Sequence, residues 1–181
     1  MASFGGSVAR RYARALFGIG VDAGKFEQLG QEIDDFAALL EESPELRQAL
    51  ENPVFQPSEK RAVLEKLLPR IAPTPEVQRF VLLLLERRRI VLLPAIARAY
   101  RDMTDAHLGR VRAQVTSAEP LAQPVLDRVR RSLEQRTGKQ VIVETAVDPE
   151  LLGGVVARVG DLVLDGSVRT QLQDLRAKLL N

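Results

Sequence analysis

The chain has no cysteine and no tryptophan among its 181 residues, and its only histidine is His107. Without thiols there is no disulfide framework and no thiolate metal site, and the redox character of the compartment is left open. One histidine cannot make a zinc site unless several carboxylates gather round it, so His107 reads as a polar residue near a helix end. Long apolar runs are missing too. The longest, FVLLLL at residues 80–85, falls far short of the roughly 18 residues needed to span a bilayer and suits a buried helix. The phosphate-cradling patterns G-x-x-x-x-G-K-[ST] and G-x-G-x-x-G are absent, and Gly153-Gly154 is followed by valines rather than by a helix whose amides could face a phosphate. Ser167 has no histidine near it in sequence, and Asp161 and Asp165 read as a turn residue and a helix-start residue. No catalytic residue, metal ligand or cofactor is expected.

What remains is a chain of mixed charge with an apolar content of 45%, enough for a soluble protein of one domain or two small ones. The net charge of +2 is too small to argue for a polyanionic partner. Its distribution is uneven. Residues 1–20 hold Arg10, Arg11 and Arg14 and no acid, whereas residues 22–51 hold nine acids against Lys25 and Arg47.

Helical periodicity dominates the first two thirds. Val8, Tyr12, Ala15, Leu16 and Ile19 share one face of a first helix, with Gly18, Gly20 and Gly24 marking its exit. Phe26, Leu29, Ile33, Phe36 and Leu40 make a second stripe, and Ser43-Pro44 starts a short third helix holding Leu46 and Leu50. Pro57-Ser58 opens a fourth, with Val63, Leu64, Leu67 and Leu68 inward and a close near Pro69. Thr74-Pro75-Glu76 is a helix start, with a cap residue, a proline and an acid in order, and the helix that follows is apolar nearly all round. A sixth begins near Leu92, carries Leu93, Ile96, Ala97, Tyr100 and Met103, and ends at Gly109. After Gly109 the period changes to two, with Val111, Ala113, Val115 and Ser117 on one face of a strand. Glu119-Pro120 leads a helix with Leu121, Val125, Val129 and Leu133 that Gly138 stops, and Val141, Val143 and Thr145 give another strand. Gly160-Asp161 then joins two short strands in a tight hairpin. Val168, Leu172, Leu175 and Leu179 recur at helical steps, so a closing helix is expected to pack across the hairpin, which cannot hold itself in water. The fold class is thus mainly α: a six-helix bundle over residues 1–108, followed by a smaller α+β domain over 109–181 with a β-hairpin and a closing helix.

Gly153-Gly154, Gly160-Asp161, Asp165-Gly166-Ser167-Val168-Arg169 and the leucines of the closing helix, in that order, resemble the C-terminal signature of the delta subunit of F-type ATP synthases, whose mitochondrial relative is the oligomycin-sensitivity-conferring protein. Tyr12-Ala13-Arg14-Ala15-Leu16-Phe17 is similar to the family's first helix, and Leu92-Leu93-Pro94-Ala95-Ile96 with Tyr100, Gly109 and Val115-Thr116-Ser117-Ala118 to its sixth helix and following strand. The family's Glu-Asn-x-Arg is here Glu86-Arg87-Arg88-Arg89, so the local turn loses its neutral former.

The resemblance implies a non-catalytic stator subunit, one copy per complex and not a homo-oligomer. Its N-terminal bundle would hold the N-terminal helical segment of an alpha subunit, and its C-terminal domain the end of the peripheral-stalk b subunits. Proton-driven rotation would thereby be coupled to ATP synthesis. It would sit, peripheral to the membrane, on the cytoplasmic face of a bacterial inner membrane. The acid-free start has the composition of a transit peptide, but its overlap with the family's first helix gives a bacterial chain without a targeting segment. Tyr12, Ala15, Leu16, Val77, Phe80 and Leu84 are the expected lining or support of the alpha-subunit groove. Gly153, Gly154, Gly160, Asp161, Asp165, Ser167, Val168 and Arg169 mark the stalk-binding domain. A second reading is a nucleic-acid-binding module that uses the arginine clusters at 87–89 and 128–131 (Arg87, Arg88, Arg89, Arg128, Arg130, Arg131). No aromatic-interleaved reading motif supports it.

Overall fold

A computed structural model describes residues 2–52, 54–149, 151, 153–160, 162–168 and 170, with backbone alone for residues 2–5, 69 and 70. The chain divides into two compact units, Met1–Thr104 and Asp105–Asn181. Among the described residues it is mainly helical, with a small four-stranded sheet in its C-terminal part. The division falls inside the sixth helix rather than after residue 108. The last turn of that helix carries Asp105, which is buried and bonded to Arg112 of the first strand.

The first unit holds α1 (Ala2–Asp22), α2 (Phe26–Glu42), α3 (Pro44–Glu51), α4 (Pro57–Ile71), α5 (Pro75–Glu86), a 3₁₀ turn (Ile90–Leu92) and most of α6 (Leu93–His107). One apolar cluster draws on every one of these elements, from Leu16 and Ile33 to Leu64, Leu84, Ile90 and Ile96. The stripe of α2 is buried as its spacing requires, and Ser43 caps α3 by accepting the Leu46 N–H.

Most local departures have a physical cause. The buried side of α1 is Ala9, Ala13, Leu16 and Gly20, while Val8 and Tyr12 are half-buried and Ala15 and Ile19 exposed. Small residues on that side let α1 approach its neighbours closely. A Cβ on Gly20 would lie 2.8 Å from both the Phe26 Cα and the Tyr100 hydroxyl. Gly20 is therefore a packing site inside the helix and not part of its exit. α4 runs past Pro69 and ends two residues later, at Ile71. Thr74 does not cap α5. Its N–H and hydroxyl both donate to Glu32 Oε2, at 2.8 and 2.7 Å. α5 is not apolar all round either, because Gln78, Arg79, Leu83 and Glu86 face solvent.

Tyr100 is the hub of the far end of this unit. Its ring stands against Gly30 of α2, where a Cβ would come within 2.9 Å. Its hydroxyl donates to the Phe26 carbonyl at 2.8 Å, and Phe17 meets it edge-on at 5.5 Å. Burial raises the phenol's pKa from 10.0 to about 12.

The second unit is built on β1 (Arg110–Ser117), α7 (Gln123–Thr137), β2 (Gln140–Val147), β3 (Val155–Val159) and β4 (Leu162–Asp165). The strand order is β2-β1-β3-β4, with β1 and β2 parallel and joined through α7, and the other two pairings antiparallel. A helical crossover is what a parallel pair demands. Leu133 and Val129 of α7 pack on Ala113, Val115, Val141, Ala157 and Val159, covering one face. On the other, Arg112 bridges to Glu144 at 2.7 Å. α7 begins at Gln123, so Leu121 precedes it, packing from the connecting loop. The hairpin is anchored by the pairing of β3 with β1 and by α7. The expected closing helix is seen only at Val168 and Thr170, and its residues 171–181, with their packing across the hairpin, lie outside the described residues.

Candidate functional site

Two places collect the residues singled out by the sequence, one in each unit. In the first, Tyr12 of α1 meets Phe80 of α5 edge-on, with ring centroids 6.2 Å apart. Arg89 Nη1 donates to the Tyr12 hydroxyl at 2.6 Å, and the guanidinium carbon sits 5.4 Å from the ring centre. Leu16, Val77 and Leu84 are fully buried behind this pair, and Phe80 is nearly so at 8% exposure. These four form the floor and its support. Ala15 is at the surface.

Of the apolar surface that borders the pair, Tyr12 and Ala15 were expected, whereas Val8, Ile19 and Leu83 were not singled out as site residues by counting inward stripes. Val8, Tyr12, Ala15 and Ile19 follow one another at steps of four, three and four along α1 and form a ribbon at the edge of its buried face. Ile19 is 49% exposed. On α5, Leu83 lies one turn beyond Phe80 and is 39% exposed. Bulky apolar groups left in water beside a ring pair make a strip that a second apolar helix face could cover.

The turn after α5 delivers Arg89. The Arg88 N–H bonds the Leu85 carbonyl and the Arg89 N–H bonds the Leu84 carbonyl, which is the paired arrangement that commonly closes helices with glycine. Here Arg88 takes the left-handed position, at φ +55°. Strain in this turn thus lies at Arg88, whereas Arg87 has an ordinary φ of −83°.

In the second unit the signature residues lock one strand entrance to the end of β4. Gly154 has φ +84°, and a Cβ there would fall 2.4 Å from the Gly166 carbonyl oxygen and 2.8 Å from the Ser167 Cα. Gly166 N–H bonds the Val155 carbonyl at 2.9 Å, and Val168 N–H bonds the Gly153 carbonyl at 3.0 Å. The Asp165 carboxylate accepts the Ser167 N–H at 2.9 Å and the Thr170 hydroxyl at 2.8 Å. The Ser167 N–H, with the Ser167 and Thr170 hydroxyls, holds the Asp165 carboxyl below its ordinary pKa. Ser167, itself buried, accepts the Thr170 N–H and so caps the helical backbone seen at Val168 and Thr170. Val159 pairs with Leu162, and Gly160, at φ +56°, stands in the turn between them. Asp161 and Arg169 lie outside the described residues. Gly166 and Thr170 complete this lock.

The two arginine clusters lie in different units, and members of each are engaged by other groups. Arg89 is engaged with Tyr12, and Arg130 pairs with Asp127 at 3.5 Å. The cleft between α7 and β2 is lined by Asp127 and Glu134 as well as by Arg130 and Arg131. Among the described residues no group of three His, Asp or Glu side chains converges as metal ligands do, and no helix is long and apolar enough to cross a membrane.

Residues 8–179 match the family described as ATP synthase delta (OSCP) subunit. Among curated relatives, ATP synthase subunit delta of Anaeromyxobacter dehalogenans (strain 2CP-C) is 46% identical over 174 residues, 96% of this chain and 97% of the relative. ATP synthase subunit delta of Myxococcus xanthus (strain DK1622) is 41% identical over 175 residues, 96% of each chain. Among solved structures, a chain in the cryo-EM structure of the Toxoplasma gondii mitochondrial ATP synthase hexamer superposes with a TM-score of 0.71 at 25% identity, covering 96% of this chain and 97% of that one. With a near-complete family match, relatives above 40% identity and the same fold in an assembled synthase, the chain belongs to the ATP synthase delta (OSCP) subunit family.

Proposed function

We propose that this subunit is a non-catalytic stator linker. Its six N-terminal helices act as one bundle that grips the N-terminal helical segment of an alpha subunit, and residues 109–181 attach to the ends of the b subunits. It is present once per complex, peripheral to the inner membrane of a bacterium on the cytoplasmic face. Held at both ends, it keeps the catalytic head from turning with the rotor, so that proton-driven rotation is coupled to ATP synthesis.

The observation that carries this reading is the apolar ribbon of α1 beside the Tyr12–Phe80 pair, with Ile19 and Leu83 left in water. An amphipathic helix laid along it would bury i, i+3, i+4 and i+7 anchors, the usual way a helix fills a groove. Exposed apolar residues of the second unit, Leu162, Val163 and Val168, support an attachment surface there.

Binding of the alpha N-terminal peptide to the full chain, followed by fluorescence anisotropy, tests the groove. Phe80→Asp would put a charge in the core, so the informative change is Ile19→Asp at the surface. Affinity is expected to fall at least tenfold, about 1.4 kcal/mol, with the thermal melt unchanged. Wild-type affinity in the folded variant would remove the assignment.

A further inference from the structure

We propose that the α1–α5 groove is selective for an acidic helix, and that Arg11, Arg79 and Arg89 read its carboxylates. The inference rests on the groove reading above and adds what the groove recognises.

Three cations border the apolar ribbon. Arg11 lies one turn before Ala15 on the exposed side of α1, and Arg79 lies one turn before Leu83 on the exposed side of α5. Arg89 comes in from the turn after α5 and spends one donor on Tyr12. A guanidinium has five N–H donors, so most of those on Arg89 remain for another acceptor. Among the described residues none of the three forms an ion pair, although other arginines of this unit do: Arg47 with Glu51, Arg61 with Glu65 and Glu86, Arg101 with Asp34. α1 has no acid before Asp22. The cations at the groove are thus without carboxylate partners among the described residues, as Arg10, Arg14 and Arg98 of this unit also are, and most acids of the unit sit on α2 and α3.

Besides Glu86, one turn beyond Leu83 and paired with Arg61 at 3.6 Å, the α5 rim carries Glu76, on the same row as Phe80 and Leu83. Its Oε2 is buried and has no hydrogen-bond partner. That oxygen is closed off in the free chain, so it directs no contact with an occupant. The matched occupant is therefore an amphipathic helix with an apolar stripe and acids along its margins. Rim charges of this kind act chiefly on the association rate and on its salt dependence, whereas apolar anchors act on dissociation.

The experiment is stopped-flow binding of the alpha N-terminal peptide to the full chain, from low to high salt. It compares wild type with Arg11→Gln/Arg79→Gln, with Arg89→Gln and Arg89→Lys, and with Ile19→Asp. The inference expects the association rate at low salt to fall about tenfold in the double variant and its salt dependence to flatten, with dissociation little changed. Arg89→Lys should retain more of the rate than Arg89→Gln. A peptide with its Asp and Glu replaced by Asn and Gln should bind wild type as weakly as the native peptide binds the double variant. If Ile19→Asp abolishes binding while the arginine and amide substitutions leave rate and salt dependence unchanged, charge selection is overturned and the groove stands. If Ile19→Asp is also without effect, or wild type does not bind the peptide, both readings fall.

Discussion

The two units use glycine for opposite ends. In the helical unit Gly30 makes room for a side chain, since the Tyr100 ring occupies the space its Cβ would need, while Gly20 meets both the Tyr100 hydroxyl and the Phe26 Cα. In the sheet unit Gly154 makes room for backbone, the Gly166 carbonyl and the Ser167 Cα, and does so at φ +84°. A side chain can turn aside, whereas a carbonyl tied into a strand cannot. The helical unit is therefore specified by volumes and stripes, and the sheet unit at its signature by backbone geometry that one residue type satisfies. This explains why a motif of glycines, aspartate and serine identifies the second unit, while the first is recognised from longer apolar patterns.

The strongest test of that contrast is Gly154→Ala. The new methyl collides with the Gly166 oxygen and the φ is unfavourable for any L residue, so a loss of about 3 kcal/mol or more is expected by chemical denaturation. Gly138 is the control. It also has a positive φ, +65°, but nothing lies within 4 Å of its missing Cβ, so Gly138→Ala should cost only about 1 kcal/mol. Equal costs would show that conformation alone, and not the backbone contact, makes Gly154 necessary.

Tyr100 probes the other side of the comparison. Tyr100→Phe keeps the ring in its glycine-lined slot and deletes the bond to the Phe26 carbonyl, an expected loss of about 1 kcal/mol at neutral pH. The folded-state pKa lies above the unfolded value, so folding holds this phenol neutral. Its contribution is complete below pH 10 and is lost as pH rises towards about 12. Wild type should therefore lose stability relative to Tyr100→Phe across that window in an alkaline denaturation series. Parallel curves would mean that the hydroxyl is solvated in the folded protein.

How much of this could be read beforehand differs between the units for the same reason. The α2 stripe and the alternation of β1 were legible because each sums many residues with one period. Periodicity names an apolar face but not which margin stays uncovered. Leu16 and Ile19 both fitted the α1 face, and only packing around Gly20 sorts one inside and the other out. The Thr74 hydroxyl carried a cap signal and went instead to Glu32, 42 residues away, since a tertiary carboxylate competes directly with the local amide. Tyr12, Ala15 and Phe80 were legible as candidates, yet the Arg89–Tyr12 bond joins residues 77 apart and leaves no local trace. The Gly153-Gly154 pair was recognisable as a pattern, whereas the carbonyl that makes it necessary comes from Gly166, on the far side of the hairpin.

The smallest effect belongs to the turn that carries Arg89. Arg88 occupies the left-handed position at φ +55°, where a side chain costs about 1–2 kcal/mol and glycine is unpenalised. Glycine also loses more entropy on folding, about 0.5–1 kcal/mol relative to alanine. Arg88→Gly should thus stabilise the protein by about 0.5–1 kcal/mol, seen as a higher urea midpoint at unchanged slope. Arg88→Ala removes the charge while keeping the strain, and should leave the midpoint in place. Were alanine as stabilising as glycine, repulsion among Arg87, Arg88 and Arg89 would be the dominant cost of this turn. The backbone strain of the helical unit to set against that of Gly154 would then rest with Ala72, at φ +47°.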